Sequence, residues 1–194
     1  MVFIPYVDIK PENWDEVVNH SEDGWYFNLY DWLQMITNVW NQRFKMDNLS
    51  FSVCENNHIV AVMPLHFYAS EKKLVSSGWG HGGPVVNSHV TQTDRQRLWK
   101  QILQHVDDIG HQVGAQEISI SISPLNLSSL NNPWGVNPLV MQGYMDNSTH
   151  TWVTDLSNTE EELWHLLSEN ARREIRQAKT NGYYIRQCAW EEMV

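Results

Sequence analysis

Leu49-Ser50-Phe51-Ser52-Val53-Cys54-Glu55-Asn56-Asn57-His58-Ile59-Val60-Ala61-Val62-Met63 is the stretch that decides the fold. Leu49, Phe51 and Val53 alternate with Ser50, Ser52 and Cys54, the two-residue period of a strand with one buried face. Glu55-Asn56-Asn57-His58 supplies turn chemistry, and residues 59–68 return as the second arm of a hairpin. Helical periods flank it on both sides. Before it, residues 2–9 read as a strand and Pro11-Glu12-Asn13-Trp14 opens a helix, with proline near the first turn. Over residues 27–40, Leu29, Trp32, Leu33, Ile36 and Trp40 recur at helical steps.

After the hairpin, residues 73–77 form a third strand that ends in a glycine-rich run. Residues 93–109 carry Leu98, Trp99, Ile102, Leu103, Val106 and Ile109 on one helical face, with Gly110 near the expected end. Residues 117–123 alternate Ile118, Ile120 and Ile122 with serines up to Pro124, a half-buried strand. Residues 124–148 read as a long loop, 150–156 as a strand, then a last helix, and 183–186 as a strand. Helices interleaved with hairpins predict an α/β (α+β) domain, a largely antiparallel mixed sheet flanked by helices.

The chain has 194 residues, 42% hydrophobic and 19% charged, a globular composition. The apolar run 59–65 is far short of the roughly 20 residues that span a bilayer, and the first residues carry Pro5 and Asp8 with no basic lead. Cys54 and Cys188 stand in no metal-like spacing, so two reduced thiols and a cytoplasmic protein are expected. A net charge of −10 repels DNA. Against that background Arg172, Arg173, Arg176, Lys179 and Arg186 hold five of the thirteen Lys and Arg.

The last helix gives that cluster a geometry. Ser157 and Glu160 have capping-box spacing, and Trp164, Leu167, Ala171, Ile175 and Ala178 step as a buried stripe. Arg172, Arg176 and Lys179 follow the same steps on the neighbouring face. Such a ridge suits a phosphate or diphosphate; it equally suits a solvated basic face near a helix C-terminus, favoured by about 0.3–1 kcal/mol. Gly78-Trp79-Gly80-His81-Gly82-Gly83-Pro84 brings backbone close to a ligand or makes a turn with unusual angles. It is neither a Rossmann fingerprint nor a P-loop. The nine histidines form no His-x-x-x-His pair, and no metal site is expected. Trp79 and Trp134, in loop contexts, are candidate platforms for a sugar or peptide.

Three stretches together resemble the FemAB family and the related GNAT-like acyltransferases. They are residues 25–32, Trp-Tyr-Phe-Asn-Leu-Tyr-Asp-Trp; residues 59–65 with Gly80-His81-Gly82-Gly83-Pro84-Val85-Val86; and residues 151–157 with 163–164 and 170–183, which include Asn170-Ala171-Arg172-Arg173. The resemblance implies a GNAT-like fold and a tandem of two such domains. Residues 1–189 would then be the N-terminal domain and 190–194 the start of a missing second one. It also implies an acyl- or aminoacyltransferase, in which the helix carrying Arg172, Arg176 and Lys179, with Gly82, Gly83 and Trp79, lines the acceptor cleft. The acceptor would be a small-molecule or lipid-linked precursor of cell wall or polysaccharide, and the donor aminoacyl-tRNA or an acyl thioester. No coenzyme A pattern of the Gln/Arg-x-x-Gly-x-Gly/Ala type is present, so no cofactor is expected in this half. Acyl transfer to an amine needs a base, for which His81 is the candidate, and an oxyanion donor, which main-chain N–H groups at a splayed strand pair can supply. Two rival readings are a non-catalytic binding or assembly module and a single-domain acyl-CoA-dependent N-acetyltransferase.

Overall fold

The computed structural model describes residues 1–76, 82–122, 137–148, 154–184 and 186, without the side chains of Gln42 and Arg43. Its elements run β1 (Val2–Pro5), α1 (Pro11–Asn19), α2 (Tyr30–Phe44), β2 (Met46–Asn48), β3 (Phe51–Glu55), β4 (His58–Met63), β5 (His66–Tyr68), β6 (Lys73–Val75), β7 (Val85–Val86), α3 (Gln92–Val113), β8 (Glu117–Ser119), α4 (Glu160–Leu166) and α5 (Glu169–Thr180). The chain divides into two compact units, Met1–Thr149 and His150–Val194.

The central hairpin forms. Asn56 and Asn57 take φ of 50° and 64°, the left-handed pair that a tight turn between twisted strands requires. Each arm is interrupted once. β2 and β3 are separated by Leu49 and Ser50, and the expected strand 59–68 breaks at Pro64-Leu65 into β4 and β5. Proline has no N–H to give the ladder. Ser50 bridges the break with its side chain: Leu65 N–H donates to Ser50 Oγ at 2.9 Å, and Leu49 N–H donates to the Leu65 carbonyl at 2.8 Å.

The two arms extend into two sheets, ordered β1-β3-β4-β7 and β2-β5-β6-β8. Every pairing is antiparallel except β6 with β8, where Lys73, Leu74 and Val75 match Glu117, Ile118 and Ser119. Mixed α/β architecture with a largely antiparallel sheet is therefore what the sequence folds into. Face alternation carries through the break. Met63, Leu65 and Phe67 join the core that Leu98, Trp99, Ile102, Leu103 and Val106 of α3 complete. Val62 and Val85 face the other way, onto Trp14, Val17 and Val18 of α1.

Several boundaries differ from expectation. The first strand stops at Pro5, and Tyr6–Asp8 forms a 3-10 turn. α2 starts at Tyr30, since Tyr26–Asn28 is a separate 3-10 turn. α3 runs past Gly110 to Gly114, whose φ of 71° makes it the true cap. Gly110 instead packs within the helix, where a Cβ would meet Ile118 Cδ1 at 2.8 Å. Residues 123–136 and 149–153, most of the expected loop with Trp134 and most of the expected strand 150–156, lie outside the described residues, as does Cys188. Cys54 carries a free thiol. Tyr183 and Tyr184 are exposed and in no strand.

In the second unit the expected single helix is two. Leu167 leaves the helical region, and Ser168 caps α5 by accepting from Ala171 N–H at 3.2 Å. The capping box is also displaced: Thr159 and Glu162 form it, while Ser157 N–H is turned to Asp155 Oδ1 at 2.9 Å.

Candidate functional site

Gly82, Gly83 and Pro84 are buried, entering β7. A Cβ on Gly83 would stand 2.9 Å from the Ser121 carbonyl oxygen. A close approach to the chain's own backbone therefore requires glycine there; the described positive-φ glycines are Gly114, Gly143 and Gly182. Trp79 and His81 lie outside the described residues. Where β6 and β8 end, Ser76 N–H donates to the Ser119 carbonyl at 3.0 Å and Ser121 N–H donates to Ser76 Oγ at 2.8 Å. Both donors are engaged, so a tetrahedral oxyanion would find neither N–H free.

His66 is a residue that the sequence reading passed over. It is fully buried in β5, and neither ring nitrogen has a hydrogen-bond partner among the described residues. Burial pushes its pKa down to about 4, so the imidazole is neutral at physiological pH. It points away from α3, because it alternates with Leu65 and Phe67. The signal lay in that alternation, where a histidine occupies a position between two core residues.

On α5, Ala171, Ile175 and Ala178 are half-buried, as is Arg172, while Arg176 and Lys179 are exposed. The stripe expected to be buried is thus only half so, and Leu167 leaves it for the link between helices. Arg172, Arg176 and Lys179 do share one side of the helix, four and three residues apart. None of the three forms an ion pair among the described residues. The Arg176 guanidinium carbon lies 5.9 Å from the centre of the Trp164 ring on α4, a cation–π contact that joins the two helices. The glycine bend belongs to the first unit and this row to the second.

No family model matches the chain, and no curated protein matches it. Among solved structures it is similar to the apo form of an aminoglycoside antibiotic 6'-N-acetyltransferase, AAC(6')-IG, from Acinetobacter haemolyticus. The likeness covers 80% of this chain and 98% of that one, at 11% identity and a TM-score of 0.48. Resemblance so remote assigns neither family nor activity. Among the described residues no group of three His, Cys, Asp or Glu could hold a metal ion, and no helix is long and apolar enough to cross a membrane.

Proposed function

We propose that this chain is the acceptor-binding half of a FemAB-like, GNAT-fold acyl- or aminoacyltransferase, and that its acceptor carries a phosphate or diphosphate held by Arg172, Arg176 and Lys179. The observation that carries the reading is the row itself. Three cations stand on one side of α5 with no carboxylate partner among the described residues, and Trp164 braces the middle one. Guanidinium forks match phosphate oxygens bidentately. The acceptor would be a cytoplasmic precursor of cell wall or polysaccharide, and the donor aminoacyl-tRNA or an acyl thioester. Catalysis in this reading needs a second GNAT-like domain. The engaged N–H groups of Ser76 and Ser121 weigh against a self-sufficient acetyl-CoA-dependent enzyme.

Calorimetric titration with inorganic diphosphate and with acetyl-coenzyme A tests it. Diphosphate is expected to bind, and Arg172→Ala and Arg176→Ala each to weaken it about 10-fold with little change in melting temperature. Equal affinity in wild type and both variants would remove the row from the site. Heat with acetyl-coenzyme A that survives both substitutions would favour the single-domain enzyme.

A further inference from the structure

The turn between α1 and α2 leaves two buried N–H donors unused. Trp25 begins it, and Tyr26–Asn28 forms its 3-10 turn. Its main chain is accounted for. Asn28 N–H donates to the Trp25 carbonyl at 2.8 Å, and the Asn28 carbonyl accepts from Trp14 Nε1 at 2.7 Å. Trp14 is fully buried, so the turn is fastened to the core. Asp15 Oδ1 accepts from Tyr30 N–H at 2.8 Å and fixes the start of α2 behind it. The side chains are not accounted for. Trp25 Nε1 and Asn28 Nδ2 are both shielded from solvent and have no hydrogen-bond partner among the described residues. A buried donor left unmade is destabilising, and native proteins rarely leave two in one turn.

The surroundings select what would pair with them. Indole N–H and amide NH2 are neutral donors, and both call for an acceptor. A hydroxyl would bring a proton of its own that needs an acceptor; a carbonyl oxygen only accepts and has two lone pairs to do so. Apolar surface stands beside the donors. The rings of Trp25 and Phe27 are 6.2 Å apart, Phe27 and Trp32 4.9 Å, and Tyr26 and Trp32 5.3 Å. Tyr26 is 63% exposed, so the aromatic group presents one ring to solvent.

We infer that the Trp25–Asn28 turn is a binding site for a neutral secondary amide, whose carbonyl oxygen accepts from Trp25 Nε1 and Asn28 Nδ2 while its apolar flank meets the rings of Tyr26 and Trp32. It stands on the first unit alone and is independent of the cationic row, so either can fail without the other. The amide belongs to an N-acylated sugar or to a peptide.

Proton–nitrogen correlation spectra of the whole 15N-labelled chain test this, with the Trp25 indole signal assigned by its loss in Trp25→Phe. The probes are N-acetylglucosamine, N-acetylalanine methylamide and glucose. The Trp25 indole and Asn28 side-chain amide signals are expected to move saturably with one or both amides and to stay still with glucose; the amide that moves them names the source. Trp25→Phe, which keeps an aromatic ring and loses the N–H, is expected to weaken that amide about 5-fold, read from the Asn28 signal. Neither signal moving with either amide overturns the inference. So does an exchange peak from both donors to water that no probe displaces, which marks an ordered water only.

Discussion

A fully buried imidazole ties the stability of the first unit to pH. His66 has its pKa pushed from 6.5 to about 4 by burial, so the unfolded chain binds the proton more readily than the folded one. Stability is then complete above about pH 6.5 and is lost as pH falls toward 4, by a figure on the order of 3 kcal/mol. Chemical denaturation at pH 7 and pH 4.5 should show that loss in wild type and a much smaller one in His66→Leu, which cannot titrate there. Equal losses in both proteins would exclude His66 as the source. Composition could not single this residue out among nine histidines. Its neighbours across the sheet are Asn48 of β2 and Val75 of β6, and its burial is a tertiary fact.

Most elements were legible, because their signals are local. The Asn56-Asn57 turn, the proline that opens α1 and the stripe from Leu98 to Val106 each follow from residues a few positions apart. The sheet break at Pro64-Leu65 was harder to read, because Ser50, fifteen residues before Leu65, repairs it. The cap of α4 was ambiguous for another reason. Ser157 with Glu160 and Thr159 with Glu162 both satisfy the capping pattern, and Asp155 decides between them by turning the Ser157 N–H aside. Thr159→Ala should therefore cost the α4 turn about 1 kcal/mol, seen as faster amide exchange over residues 160–163, while Ser157→Ala leaves those amides unchanged. The reverse ranking would restore the earlier start. As for the candidate site, the row on α5 was visible as a helical period, whereas the unused donors of Trp25 and Asn28 appear only when every partner in the fold is known. The near contact of Gly83 with Ser121 is likewise invisible in a sequence that separates them by 38 positions.

At the scale of the molecule, the β3–β4 and β5–β6 hairpins pair with near neighbours in sequence, but β1 with β3 and the parallel rung do not. β8 reaches β6 only after the 22-residue α3 has crossed between them, and Lys73 meets Glu117 across that span. A strand that must wait for a crossover joins late, since loop closure has to be met before its contacts repay it. Pulsed hydrogen exchange during refolding should protect the amides of Phe51–Glu55 and His58–Met63 before those of Glu117–Ser119; simultaneous protection would contradict this order. On a ribosome the consequence is sharper. β6 emerges with one edge bare and keeps it bare until some forty further residues have been made, so for that interval a nascent chain presents a sticky border to its neighbours.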